Sequence, residues 1–400
     1  MYMRRVLFIS YDFSPCRNIG GALRSSKFVH FLSGLGWHSY VFAMEEKAYE
    51  DNDEYSDNVI RVPSCTPYSK PYEVRPYGWA FSFWKSASRF LEENSVDIIY
   101  VTAPPFPQLA SAVLLKDKYN LPLVVDFRDA WSLDPYKEGS RLKKFLYGRV
   151  FPVVERWVMK NADSIILNTP STLKAYQNLY PSLSSRMAYL TNGFDENDFS
   201  EVNSQYTTRS KEEMHLLYCG RFGILDRKPD LILKAIKKAV NAGIPMKLSF
   251  IGNQPESVLD TINTLGLQED VNIVGQVPHV EAIKAMFQCD VLILYMEPSN
   301  FSHQSIAGKT FEYIRTGKPI LYIGPEGDNQ NLISKYVMNN EVVTSFTVDA
   351  VFDAICRMFS CWEAGSMQEI YSVSDEFLSM YSRENLTKAL VSIFDKCLSR

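Results

Sequence analysis

The chain has 400 residues, 46% of them hydrophobic, enough to bury two separate cores. Lys and Arg number 42 against 46 Asp and Glu, and the net charge of −4 gives no reason to expect a nucleic-acid partner. The seven cysteines form no CxxC pair and several sit in apolar runs such as Leu216-Leu217-Tyr218-Cys219, which argues against a disulfide or zinc framework and for a reducing cytoplasm.

At the N-terminus the run Val6 to Ile9 is too short for a signal peptide, and no apolar run reaches membrane-spanning length. Strand-like runs at 5–10, 39–43, 59–62, 97–102, 121–126 and 164–167 alternate with helical patterns near 22–34, 78–94, 107–119, 140–161 and 171–179. That alternation predicts a parallel sheet with helices on both faces. Residues 200–213 are polar, with Val202 the only aliphatic side chain, and read as a linker. The pattern restarts with strands at 214–219, 246–251, 271–274, 291–295, 319–323 and 341–344. The expectation is two Rossmann-like, doubly wound α/β domains, 1–205 and 206–381, facing each other across a cleft, with ligands at the carboxyl ends of their strands. A last helix covers about 382–398.

Several segments between these elements carry chemistry. The first strand runs into Tyr11-Asp12-Phe13-Ser14-Pro15 and then Gly20-Gly21-Ala22-Leu23-Arg24, where a glycine pair before a helix lets a ligand approach the backbone. The spacing is not GxGxxG, so no dinucleotide cofactor is expected. Val124-Val125-Asp126-Phe127-Arg128-Asp129-Ala130-Trp131 ends a strand with three charges; either they face a cleft, or Arg128 pairs with Asp126 or Asp129 to shape the loop. Apolar positions 142, 146, 150, 153 and 157 form a stripe with Arg141, Lys144 and Arg156 off it, suited to a core-facing helix with a solvated basic face or to an anionic membrane surface. In the second half, Arg221 follows a strand directly, and a second cation, Arg227 or Lys228, lies close enough along the chain to converge with it on one diphosphate. Gly252-Asn253 closes another strand, and Gly275-Gln276-Val277-Pro278-His279 a third. In Gly308-Lys309-Thr310-Phe311-Glu312, a cation and a carboxylate share one face of a helix start, where unpaired N–H groups and the dipole favour an anion. A diphosphate would sit there beside Lys309, leaving Glu312 for hydroxyls. Asp51-Asn52-Asp53 fits a manganese-type DxD but lies in an acid-crowded stretch and reads as a solvated loop, and none of the five histidines has a partner at metal spacing, so no metal site is expected.

The order of glycine loop, helix start, acid one turn in, turn and strand over 308–321 resembles the donor-binding segment of retaining glycosyltransferases of GT-B architecture, the family 4-like group. Asp126-Phe127-Arg128-Asp129-Ala130-Trp131 resembles the Asp-x-Arg-Asp-x-Trp signature of one branch, and the proline-rich turn 102–107 and Asn192-Gly193-Phe194-Asp195 fall in the expected order. The resemblance implies transfer of a sugar, with retention, from a UDP- or GDP-sugar to a saccharide or lipid-linked acceptor in surface polysaccharide biosynthesis, without a further cofactor. With the cysteine usage, the net charge and the basic stripe, the expectation is a cytoplasmic protein without a nucleic-acid partner, either soluble throughout or peripheral on the inner face of the membrane.

By the same resemblance, Arg221, Arg227 and Lys309 stabilise the departing nucleoside diphosphate, with Lys228 as the alternative to Arg227, and Glu312 holds ribose or sugar hydroxyls. Donor contacts are implied at Gly20, Gly21, Gly220, Gly252, Asn253, Val277, Gln304, Gly308 and Thr310, and acceptor-side contacts at Arg24, Asp126, Arg128, Asp129 and Trp131. His279 lies near the base, either contacting it or incidental, and the last helix crosses back to the first domain. One departure is Gln304, which stands where the family's Glu-x7-Glu pattern has its first acid; it can bond hydroxyls but cannot stabilise positive charge as a carboxylate would. Another is the missing histidine that many members carry after the fourth strand. Two alternatives therefore stand beside the transferase: a nucleotide-sugar epimerase or hydrolase of the same architecture, and a non-catalytic glycan-binding or scaffold relative.

Overall fold

The computed structural model describes residues 3–16, 19–45, 58–66, 75–133, 146–200, 212–222, 229–298, 302–367 and 373–399. The chain divides into two units, one made of Met1–Asn192 with Arg383–Arg400, the other of Gly193–Ser382.

The first unit is built on seven parallel strands: β1 Arg4–Ile9, β2 Trp37–Met44, β3 Val59–Val62, β4 Ile98–Ala103, β5 Leu123–Phe127, β6 Ser164–Leu167 and β7 Met187–Tyr189, in the spatial order β3-β2-β1-β4-β5-β6-β7. Strands covered on both faces must be apolar throughout, and Val6 to Ile9, Ile98 to Val101 and Leu123 to Val125 are wholly buried. Alternate residues feed two cores. Leu7, Ile9, Ile99, Val101 and Val125 pack with helices α2 Arg75–Glu93, α3 Pro107–Tyr119 and α4 Phe151–Asn161. Val6, Phe8, Ile98, Tyr100 and Val124 face α1 Ile19–Gly34 and the last helix, Arg383–Leu398, which buries Leu386, Leu390 and Phe394 here.

The second unit repeats the plan with β8 Met214–Cys219, β9 Met246–Ile251, β10 Val271–Gly275, β11 Val291–Tyr295, β12 Ile320–Ile323 and β13 Asn340–Val343, ordered β10-β9-β8-β11-β12-β13 and again all parallel. In each sheet the order reverses beside the first strand, between β1 and β4 and between β8 and β11. Such a reversal leaves a crevice at the strands' carboxyl ends where no helix crosses.

Four local expectations change. The glycine pair lies inside the first turn of α1, not in the loop before it. The helix expected over 140–161 is a π turn, Leu146–Val150, leading into α4, because Pro152 supplies no N–H and suits a helix's first turn; residues 134–145 lie outside the described residues. In that register Val158 and Met159 face the core, while Val153 and Trp157 of the expected apolar stripe point outward, 67% and 38% exposed. Strand β7 and the short helix Glu196–Ser200 come unannounced by any long periodic run. The polar segment 200–213 lies mostly outside the described residues, and the units divide ahead of it, because Phe194 and Phe199 belong to the second unit's core and Phe194 stacks on Phe377 at 5.5 Å.

Candidate active site

In the second unit three strand ends and one helix start meet. Helix Gly308–Thr316 grips the end of β8 by both polar atoms of Cys219. Its Lys309 Nζ donates to the Cys219 carbonyl at 2.7 Å, and the Cys219 N–H donates to Tyr313 Oη at 2.9 Å. Lys309 and Tyr313 are four apart and so share a helix face. The ammonium also lies 3.9 Å from the centre of the Tyr218 ring, a cation–π contact, and Tyr218 in turn stacks on Phe222. Burial pushes the Cys219 thiol up to about 12, against the pull of Lys309.

Backbone can crowd here because two turns carry no side chain. Gly252 has φ +118°, and a Cβ on it would stand 2.7 Å from the Gly220 carbonyl oxygen. Gly220 N–H donates to the Ile251 carbonyl at 2.8 Å and Gly252 N–H to the Gly275 carbonyl at 2.7 Å, linking the ends of β8, β9 and β10. Gln254, which the sequence did not single out, ties the turns together. It donates to both the Gly220 and Gly252 carbonyls and accepts from the Phe222 N–H. The cap position of this helix is Ala307, whose own side chain makes no cap hydrogen bond. Asn329 anchors the helix start, accepting from the Ala307 N–H at 2.9 Å and the Thr310 hydroxyl at 2.7 Å. Thr310 is thereby buried, with its hydroxyl committed to Asn329.

The remaining donor-side expectations are distributed as follows. Arg221 is exposed immediately after Gly220. Arg227 and Lys228 lie outside the described residues. Gly308 is exposed at the helix start and Gln304 half-buried on the turn before it, with Nε2 3.1 Å from His303 Nε2. Asn253 donates to Gln276 at 2.8 Å, and Val277 packs half-buried against the core. Glu312 faces His279, with Oε1 3.0 Å from Nε2. Asp51 and Asp53 lie outside the described residues, and among the described residues no cluster of three His, Cys, Asp or Glu is placed to hold a metal.

The first unit treats its charges differently. Arg24 is 3% exposed, with Nε 3.0 Å from Asp126 Oδ2 and Nη2 donating to the Leu190 carbonyl at 2.8 Å; Nη1 reaches the Thr191 carbonyl. Burial opposes the guanidinium's charge, but Asp126 and Tyr100 outweigh it and its pKa ends above the ordinary value. Tyr100 Oη donates to the same carboxylate, and burial, then the Asp126 charge, raises the phenol well above its usual range. Trp131 is likewise sealed, stacked on Phe106 at 4.9 Å, and its backbone N–H donates to Tyr176 Oη. Arg24 and Asp126 thus direct their charged groups to partners inside the unit, and Trp131 packs its ring there. Arg128 is half-buried and pairs with neither aspartate by hydrogen bond; it donates to the carbonyls of Gly21 and Pro104, bracing the start of α1 against the turn after β4. Of this segment's charged residues, Asp129 is the one with a large exposed surface, yet its carboxyl is packed among protein atoms, and that desolvation raises its pKa above the ordinary value against the pull of Arg128. Behind the loop the buried Glu155 accepts from the Ser132 N–H and hydroxyl and from Tyr176 and Tyr180, which holds the segment in place.

A glycosyl transferase 4-like domain family matches residues 20–193, and the glycosyl transferases group 1 family matches residues 213–360. One match falls on each unit, and the chain belongs to the GT-B glycosyltransferases, family 4-like. It is an enzyme of that class. No curated protein sequence matches the chain. Among solved structures, the sucrose-phosphate synthase of Thermosynechococcus elongatus is 15% identical with a TM-score of 0.73, covering 99% of each chain. Anabaena HepE in complex with UDP and glucose is 15% identical with a TM-score of 0.68, covering 98% of this chain and 100% of that one. A glycosyltransferase from Rickettsia africae ESF-5 is 12% identical with a TM-score of 0.67, covering 100% of both. At such identities the likeness is one of fold.

The buried clamp separates scaffold from surface. Replacing Arg24 by Met strands a buried carboxylate and should cost about 3–5 kcal/mol in urea denaturation, whereas Asp129→Asn should stay within about 0.5 kcal/mol. The double variant Arg24→Met, Asp126→Leu should recover part of the loss. Equal stability of the Arg24 variant and the parent would contradict the clamp.

Proposed function

We propose that the chain transfers a sugar from a nucleotide-sugar donor to a saccharide or lipid-linked acceptor with retention of configuration, in surface polysaccharide assembly. The observation that carries the donor half of this reading is the meeting of Lys309, a helix start with alanine at its cap position and two side-chain-free turns at the crevice between β8 and β11. A diphosphate there would take backbone N–H groups from the helix start and the Lys309 ammonium. The UDP and glucose found with Anabaena HepE support a nucleotide sugar as ligand.

In this reading Lys309, Arg221 and Arg227 or Lys228 stabilise the charge that grows on the departing diphosphate, and Glu312 binds hydroxyls of ribose or sugar. The cations supply the neutralisation themselves, so turnover proceeds without divalent metal and the nucleotide sugar is substrate, not cofactor. Gln304, beside the helix start, binds a sugar hydroxyl through its amide. Asp129 is the exposed charge left on the acceptor side, and the glycine pair lies at the start of α1.

The kinetic test is made with UDP- and GDP-sugars in the presence of a chelator, following nucleoside diphosphate release. Lys309→Ala should lose mainly kcat, by about 2.7–4 kcal/mol in the transition state. Glu312→Gln should weaken donor affinity at least as much as turnover, because hydroxyls are present already in the ground state. Isomerised sugar in place of transfer would favour an epimerase, and neither binding nor turnover of any donor would favour a scaffold. Activity that returns only with manganese would reject metal independence.

We further propose that the first unit rests on an anionic membrane surface. On α4 the exposed Val153 and Trp157 lie among the exposed Arg149, Arg156 and Lys160, and no helix among the described residues is long and apolar enough to cross a membrane. On α2, Tyr77, Phe81, Lys85 and Arg89 form an exposed stripe at four-residue spacing. Apolar rings among cations suit an interface that is both greasy and negative. The protein should sediment with vesicles containing anionic lipid at low salt and leave them at about 1 M salt, where the screening length falls to about 3 Å. No sedimentation at low salt, or binding indifferent to salt, would reject the contact.

A further inference from the structure

His279 opens the helix His279–Gln288, and its ring stands between two carboxylates from two other helices. Nε2 is 3.0 Å from Glu312 Oε1, and Nδ1 is 3.5 Å from Asp198 Oδ2. The two acids are largely covered, with side chains 12% and 18% exposed, while the imidazole is 40% exposed. A neutral imidazole donates from one nitrogen and turns a lone pair toward the other acid; only the imidazolium can present N–H to both. Glu312 lies three residues after Lys309, so two unscreened carboxylates at this place would oppose an incoming diphosphate.

We propose that His279, in its protonated form, is a positioning residue for donor binding. It holds Glu312 by Oε1, leaving Oε2 for a donor hydroxyl, and its charge offsets the Asp198 and Glu312 pair beside the diphosphate. This inference rests on the donor-site reading above. The other titratable groups on the elements packed against this helix are Glu196 from Glu196–Ser200, already paired with Arg315, then Lys309 and Tyr313 from the donor helix, and His215, Tyr218 and Cys219 from β8. On its own helix Glu281 pairs with Lys284. His215 pairs instead with Glu213 at 3.5 Å, at the opposite end of β8 from the glycine turn.

The test is calorimetric titration of UDP, and separately GDP, into the full-length parent and the His279→Gln variant at about pH 6 and about pH 8, on either side of the imidazole range. Glutamine keeps one N–H donor and takes no charge, and the ligand's own phosphate titration cancels in the ratio of the two proteins' affinities. At the lower pH the parent should bind about threefold more tightly than the variant, the size of an exposed ion pair, and at the higher pH the two should converge. Turnover at saturating donor should change less than KM. A parent-to-variant ratio that does not move with pH overturns this inference alone. Failure of the parent to bind either nucleotide at any pH overturns the donor-site reading and this inference with it.

Discussion

The bond from Lys309 Nζ to the Cys219 carbonyl joins the start of the donor helix to the end of β8, and the arrangement of the second unit makes it possible. β8 and β11 are the neighbours at which the strand order reverses, so the helix reached after β11 is delivered beside the turn that follows β8. Tyr313, one helical turn on, completes the grip by accepting from the Cys219 N–H. With β8 and the helix locked together, the Gly220 and Gly252 turns can approach to backbone contact, and Gln254 fills the hydrogen-bonding needs that their closeness creates. A cation, a helix dipole and bare backbone then share one crevice, which is the combination that binds phosphate elsewhere.

The first unit has the same strand logic with an opposite use of charge. Its carboxyl-end cluster is turned inward: Arg24 bonds Asp126 and two carbonyls, and Arg128 bonds two more. A buried ion pair of this kind is costly to desolvate and stabilises only because nearly every polar atom finds a partner. The result is a loop held from behind by Glu155 and its four donors, with Asp129 the exposed residue among its charges.

The sheets were legible in the sequence because strands buried on both faces must be apolar runs, and each of the twelve expected runs coincides with a strand to within a few residues. β7 escaped because three half-buried residues leave no such run. The Lys309–Glu312 helix start was legible from its local pattern of glycine, charge spacing and stop signal. Gln254 and Asn329 were not, since their partners lie far along the chain and nothing local marks them. Charge pattern alone also could not separate Arg24, which is sealed, from Asp129, which is open, because both answers follow from tertiary packing. His279 reads in the sequence either as a base contact or as an incidental loop residue for the same reason: its two carboxylate partners come from 198 and 312.

The central claim is that the glycine turns and the helix start of the second unit form one nucleotide-diphosphate site. Hydrogen–deuterium exchange with and without saturating UDP tests it most directly. The account predicts slowed exchange confined to the segments around 219–222, 252–254 and 308–312. Unchanged exchange in those segments while the ligand is bound, or protection concentrated elsewhere, would contradict it.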